Sequence, residues 1–358
     1  MNILDRYIAR SVALSLGLVL LVLVALFLLF TFIDEVDQIG KGRYGTLEAL
    51  LFVCLLIPRR IYEFFPMAAL LGTLIGLGIL ANHGELTVMR AAGLSILRIF
   101  WAVMKLGILL MIVVVVLGES IAPRSEQYAR NMRTAAQSEQ AALHTGGGLW
   151  ARDGDHFIHI RGIQPGGQLQ GLSLYELDDQ HRLQALTTAD AAQYYQGDQQ
   201  EWVLENLART QLYQDGSSRV EQMTWDNWDS LLNPHLIRVL ILEPARLSVT
   251  ELSQYIAYLR TNNLAAAPYE LAFWQRLVYP LATAVMIFPA VPFVFGSIRS
   301  VSMGRRVFTG ALLGISFYAL NQATGQVALL YDFSPILSAL LPPLLLLGFG
   351  LILTARII

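Results

Sequence analysis

Six long apolar runs are the feature that most constrains the fold of this chain. A bilayer core about 30 Å thick is crossed by roughly 20 apolar helical residues, whose backbone groups bond within their own segment. The runs of this length are residues 12–33, 61–81, 99–122, 277–298, 307–330 and 335–354. The sequence therefore predicts an α-helical integral membrane protein with six transmembrane helices, in two groups of three.

Composition agrees with the membrane class. Of the 358 residues 55% are hydrophobic and only 15% are charged, and the mean hydropathy is +0.50. The net charge of −2 gives no reason to expect a nucleic-acid partner. The single cysteine, Cys54, excludes an intrachain disulfide, and we expect its thiol to be buried.

Two shorter features complete the membrane segments. Asp5, Arg6 and Arg10 precede the first run without a small-residue cleavage site, which predicts an uncleaved anchor. The apolar stretch 47–57 is too short to cross a bilayer and is closed by Pro58. It is predicted to be an interfacial helix.

Arginines in the short loops predict the orientation, because cytoplasmic loops carry the excess of basic residues. One face of the membrane receives Arg6, Arg10, Arg90, Arg98, Arg299, Arg305, Arg306 and Arg356. We therefore expect both termini in the cytoplasm and the long segment between the third and fourth spans on the opposite side.

That long segment has the pattern of a β domain. Short alternating runs, such as 157–160 and 172–175, are separated by turn residues. They predict an all-β, jelly-roll-like domain over 137–262, between membrane parts at 1–136 and 263–358. Residues 248–259 are amphipathic and are expected to return the chain to the membrane.

The aromatic and histidine residues of this domain allow more than one interpretation. Its tryptophans either fill the core or form an exposed platform for an acyl chain or sugar; they are Trp150, Trp202, Trp225 and Trp228. Its histidines, His144, His156, His159 and His181, lack metal-ligand spacing, so no metal site is predicted. The sequence contains no P-loop and no Gly-x-Ser-x-Gly motif, so we expect a non-catalytic chain without a bound cofactor.

Residues 82–93, between the second and third spans, predict a short helix. Asn82 is its expected N-cap, Glu85 its third residue and Gly93 its end. The helix either docks a partner, or Glu85 merely closes a capping arrangement while Arg90 follows the positive-inside bias.

Two glycine pairs predict close helix packing. Gly72 with Gly76, and Gly310 with Gly314, each lie on one helix face. They form either packing within the chain or a moving seam with another subunit. The amides of Asn321, Gln322 and Gln326 in the fifth span are candidates for a substrate wall, since polar groups there usually face protein or a cavity.

Arginines near the outer ends of the second and third spans could meet anionic lipid. They are Arg59, Arg60, Arg130 and Arg133. The planar guanidinium can hold a phosphate with two hydrogen bonds. Snorkelling anchors are the alternative.

Several long matches in the same order resemble one known family, the lipopolysaccharide-export permeases LptF/LptG. They are residues 4–8, 64–72, 84–93, 129–133, 148–154 and 299–305. The resemblance covers nearly the whole chain. It implies an inner-membrane ABC transporter in which LptF and LptG form a heterodimer energised by two copies of the ATPase LptB, with ATP and Mg on LptB. It also implies LptC as a membrane partner and lipopolysaccharide as the substrate, passed to a periplasmic bridge.

The resemblance further implies roles for particular residues. Glu85, with Met89 and Arg90, matches the coupling helix that meets the ATPase, and Arg59, Arg130 and Arg133 match basic positions near the lipopolysaccharide head group. Lysines that family members can carry at the end of span one are absent, and Lys41 or Arg43 is expected to replace them. We further expect spans one and five to line a lateral gate through Phe27, Phe30, Phe317, Asn321 and Gln322.

Two other function classes stay open on residue patterns alone. An ion-driven secondary transporter would use the proline-bent fourth span as a broken-helix site, although intramembrane charges are sparse. A structural or sensory anchor would present the β domain and move no lipid.

Overall fold

The computed structural model describes most of the chain. The described residues are 3–137, 148–154, 156–164, 167–178, 180, 182–196, 200–213, 215–228, 230, 234, 236–237, 244, 247–296 and 303–355. The predicted cytoplasmic residues Arg299 and Arg356, and the histidines His144 and His181, lie outside these ranges.

Helices make up the N-terminal and C-terminal parts. The N-terminal helices are α1 (Ile3–Val36), α2 (Thr46–Leu55), α3 (Ile57–Asn82), α4 (Glu85–Ala91), α5 (Ile96–Val116) and α6 (Ala122–Gln137), with a π-helical turn (Leu117–Ile121) joining α5 to α6. The later helices are α7 (Val249–Thr261), α8 (Ala267–Gly296), α9 (Met303–Leu330) and α10 (Pro335–Ala355).

Five described helical segments are long and apolar enough to cross a membrane. They are Ile3–Val36, Ile57–Asn82, Ile96–Gln137, Ala267–Phe295 and Pro335–Ala355. The run predicted as the fifth span forms the 28-residue helix α9, which is not in this group. Its amides, including Asn321 and Gln322, lower its hydropathy, so the count of six spans stays a prediction. The predicted interfacial helix is α2, on which Cys54 is exposed, so the expected burial of its thiol is wrong.

Helix α3 lies at the centre of the bundle, because α1, α5, α8 and α9 all pack on it. Its glycines permit the closest approach. A Cβ built on Gly72 would lie 2.4 Å from the Leu16 Cα, and one on Gly76 would lie 2.7 Å from the Val12 Cα. A Cβ on Gly310 would lie 2.4 Å from a Leu74 methyl. Both glycine pairs therefore serve packing within the chain.

The β region is one antiparallel sheet of six described strands. They are β1 (Leu149–Asp153), β2 (His156–Ile163), β3 (Leu169–Leu177), β4 (Leu183–Gln196), β5 (Gln200–Leu212) and β6 (Ser218–Trp228), paired in sequence order. This meander differs from the predicted jelly roll, whose Greek keys place sequential strands apart. Alternation along a strand gives its two faces but not its neighbours, which explains the difference.

Helix α7 is fixed at both ends. Ser248 and Glu251 form a capping box at its start. The Tyr258 hydroxyl donates to the Arg152 carbonyl of β1, and the Gly154 N–H donates to the Asn262 side-chain oxygen at 2.8 Å. The amphipathic segment predicted after the strands is therefore a helix bonded to the β1 end.

Two compact units result. The first comprises Met1–Arg133 with Ala267–Ile358, and the second comprises Thr134–Ala266. The bounds of the three domains drawn from the sequence, and the side of a membrane on which each unit lies, stay predictions.

Candidate functional site

The short helix α4 lies between two glycines in the left-handed conformation. Gly84 before it has φ 76° and Gly93 after it has φ 91°, values that favour glycine. Asn82 is the last residue of α3 rather than the cap of α4, so that prediction is wrong. Glu85 is consequently the first helical residue, where a carboxylate is stabilised by the exposed N–H groups of the helix start.

One face of α4 is buried and the other is open. Leu86 and Met89 belong to the core cluster of the bundle, whereas Val88 is 69% exposed and Arg90 is exposed. Of the predicted coupling residues, Glu85 and Arg90 are therefore accessible, whereas Met89 packs in the core and anchors the helix. Sequence reasoning missed Val88, although its spacing of three from Glu85 places both on one edge.

Side-chain contacts tie α4 to the helices around it. The Glu85 carboxylate interacts with the Tyr7 hydroxyl of α1, and its Oε1 lies 3.7 Å from His83 Nδ1. The Arg90 guanidinium lies 6.0 Å from the ring centroid of Phe295 in α8. These side chains place α4 beside α1 and α8.

The opposite end of α3 carries part of a group that we term the arginine cluster: Arg59, Arg60, Arg130 and Arg133. Arg59 Nε lies 2.8 Å from Glu63 Oε1, and Arg60 also pairs with the Glu63 carboxylate. The Arg60 guanidinium lies 3.9 Å from the ring centroid of Phe27. Arg60 thereby joins the cluster to a predicted gate residue on α1.

The remaining two arginines are held from α6. Arg130 contacts Glu126 Oε1 at 2.7 Å. Arg133 Nε lies 3.3 Å from Oε1 of Glu35, a carboxylate only 5% exposed, which also accepts a 2.8 Å hydrogen bond from the Tyr44 hydroxyl. Burial, followed by that hydrogen bond, raises the pKa of Tyr44 above its ordinary value. Tyr44 therefore stays a donor at neutral pH.

Ion pairs with carboxylates affect how the arginine cluster could bind a phosphate. Each of its four guanidinium groups lies beside a carboxylate, that of Glu35, Glu63 or Glu126. A phosphate at these arginines would share a guanidinium with a carboxylate or displace it, since both anions use the same guanidinium geometry. Exposed Lys41, whose Nζ donates to the Gln38 amide at 2.9 Å, needs no such exchange.

The predicted gate residues lie on two helices that each pack on α3. On α1, Phe27 meets Phe64 edge-on at 5.8 Å between ring centroids, and Phe30 is exposed. On α9, Phe317 packs against the core cluster and Gln322 is exposed, with Asn321 half-buried. Within this chain the two sets thus flank the central helix.

The tryptophans of the β unit lie in two different environments. Trp202 is fully buried beside Tyr194 and Trp228, whereas Trp225 is 66% exposed. Trp150 is also exposed and stacks on Tyr175. Trp202 and Trp228 therefore fill the core, whereas a platform for an acyl chain or sugar at the exposed Trp150 and Trp225 stays a prediction. Across the described ranges, no group of three or more His, Cys, Asp or Glu side chains could hold a metal ion.

Comparison with known proteins identifies relatives along almost the full length. The family model described as "Lipopolysaccharide export system permease LptF/LptG" matches residues 6–356. The lipopolysaccharide export system permease protein LptG of Escherichia coli K12 is 37% identical over 341 residues, which cover 95% of this chain and 94% of the relative. LptG of Haemophilus influenzae is 37% identical over 344 residues, which cover 96% of each chain.

Proposed function

The chain belongs to the LptF/LptG family of lipopolysaccharide export permeases, and from this premise we propose that it is the LptG-type half of an ATP-driven lipopolysaccharide extractor. It would pair with an LptF-like permease and be energised by an LptB-like ATPase dimer, with an LptC-like protein as a further membrane partner. ATP and Mg would be bound by the ATPase.

The geometry of α4 is the observation that carries this proposal. A helix of seven residues, held between two left-handed glycines, buries Leu86 and Met89 and leaves the edge of Glu85 and Val88 open. Such a helix is suited to receiving a partner from outside the bundle. Its contacts with α1 and α8 supply a route for the partner's motion.

Lipopolysaccharide would enter at the opposite end of the bundle. Lys41 and the arginine cluster would meet the head-group phosphates, with a phosphate exchanging for a carboxylate at Arg59, Arg130 or Arg133. The acyl chains would pass through a lateral gate lined by α1 and α9, together with the partner permease. The β unit would then receive them.

This function implies a topology. All six predicted spans would cross the inner membrane of a Gram-negative cell, including the less apolar α9, whose amides would face protein or a cavity. Both termini and α4 would lie in the cytoplasm, and the β unit in the periplasm.

Purification of the tagged chain from native membranes tests the proposal. We expect a second permease, an ATPase and lipopolysaccharide to co-purify with it. Glu85→Arg should remove the ATPase while retaining the second permease, and Glu85→Gln, which keeps the size of the side chain, should have a smaller effect. An ATPase that stays bound to Glu85→Arg would contradict the role of α4. Co-purification of no ATPase would favour the secondary transporter or the structural anchor.

A further inference from the structure

Arg306, in the first turn of α9, is an unusually buried arginine. It is 4% exposed, while its neighbour Arg305 is exposed. Its Nη1 donates to the Gly78 carbonyl at 3.3 Å and to the Asn82 side-chain oxygen at 3.4 Å. Its Nε is buried without a hydrogen-bond partner. A buried charge with incomplete pairing is costly, so its retention calls for a physical reason.

The acceptors of Arg306 identify what it holds. Gly78 and Asn82 lie at the C-terminal end of α3, where the helix dipole stabilises a cation. The absence of a side chain at Gly78 makes room for the contact, since a Cβ there would lie 3.2 Å from both Arg306 Nη1 and Met303 Sδ. The guanidinium therefore fastens the start of α9 to the end of α3.

Only His83 and Gly84 separate this fastened turn from α4. The end of α3 therefore supports α4. Because Arg306 bonds this end of α3 to α9, it determines whether the two move together. Without the contact, a displacement of α4 could be absorbed at the left-handed Gly84 instead of being passed on. A single Arg can bridge a main-chain carbonyl and a side-chain oxygen because its donors are spread over a rigid plane.

We infer that Arg306 is a positioning residue that couples α4 to α9, the helix carrying Phe317, Asn321 and Gln322 of the proposed gate. This inference rests on the proposed function and assigns the step that links ATP hydrolysis at one end of the bundle to the opening at α9. Loss of the Arg306 contacts should uncouple ATP hydrolysis from lipopolysaccharide release rather than abolish either activity.

The test measures lipopolysaccharide released per ATP hydrolysed by the full complex in proteoliposomes. Arg306→Met keeps the length of the side chain and removes its donors, and it should lower this ratio by about fivefold or more while ATP hydrolysis continues. Arg306→Lys should recover part of the ratio, because an ammonium can reach the same oxygens. Arg305→Met, the adjacent exposed arginine, should leave it unchanged.

A distance measurement provides a readout separate from activity. In a Cys54→Ser background, spin labels at His83 and Arg305 should give a broader distance distribution when Arg306 is Met than when it is Arg.

A second variant covers the case in which Arg306→Met fails to assemble. Asn82→Leu removes one acceptor from an exposed position and should lower the ratio of lipopolysaccharide released to ATP hydrolysed by a smaller amount. An unchanged ratio in these variants would overturn the inference. Absence of ATP-dependent release by the unsubstituted complex would instead overturn the proposed function.

Discussion

Glu35 and Arg133 offer the sharpest test at the scale of single residues. Reversal of the charge in Arg133→Glu places a second carboxylate beside the buried Glu35 carboxylate. We expect the free energy of unfolding to fall by about 3 kcal/mol, the usual cost of breaking a buried pair. Thermal unfolding of the purified complex measures this. Restoring opposite charges in the double variant Glu35→Arg/Arg133→Glu should recover most of the loss.

Lys41 is the matched control, because it is exposed and its ammonium donates to the Gln38 side-chain amide. Lys41→Glu should change stability by less than about 0.5 kcal/mol and should weaken lipopolysaccharide crosslinking. If the double variant Glu35→Arg/Arg133→Glu did not regain stability, the ion pair between Glu35 and Arg133 would not be the source of the loss.

Helix packing provides the prediction at the scale of elements. A Cβ at Gly72 would meet the backbone of Leu16, which cannot rotate away, so Gly72→Ala should push α1 from α3. We expect a loss of about 1–3 kcal/mol in unfolding free energy, typical of overpacking. Gly17→Ala is the control on α1, where a Cβ meets nothing within 4 Å and alanine favours the helix. Equal thermal stability of the two variants would refute the tight contact.

The sheet offers a second pair of matched variants. Trp202→Ala empties a fully buried position and should cost about 3–5 kcal/mol. Trp225→Ala, at a 66% exposed position, should change stability by less than about 0.5 kcal/mol. Thermal unfolding followed by near-ultraviolet circular dichroism of the full chain distinguishes them. A large loss at Trp225 together with a small loss at Trp202 would reverse the assignment of core and surface.

Elements with strong local signals could be predicted from the sequence. Hydropathy located the long helices, and Ser248 and Gly93 marked a helix start and a helix end. Pairings between distant parts of the chain could not be predicted. The Glu35–Arg133 contact and the neighbours of each strand depend on tertiary structure, and the left-handed Gly84 displaced the expected cap at Asn82.

At the scale of the whole molecule, the proposed function gives the two ends of the bundle different tasks. One end carries α4 with Glu85, together with Arg306, which bonds the end of α3 that precedes α4. The other end carries the arginine cluster and Lys41. Helices α1 and α3 run between them, so the proposed function would carry a displacement at α4 to the predicted gate through packed helices. The proposed function therefore requires that energy applied at one end moves lipid at the other.

Release of lipopolysaccharide from proteoliposomes that contain the complex purified with this chain tests that requirement most directly. We expect release to a periplasmic acceptor with ATP and Mg, little release with a non-hydrolysable nucleotide, and loss of release for Glu85→Arg. Release that proceeds equally without ATP, or that follows an ion gradient instead, would contradict the proposed function.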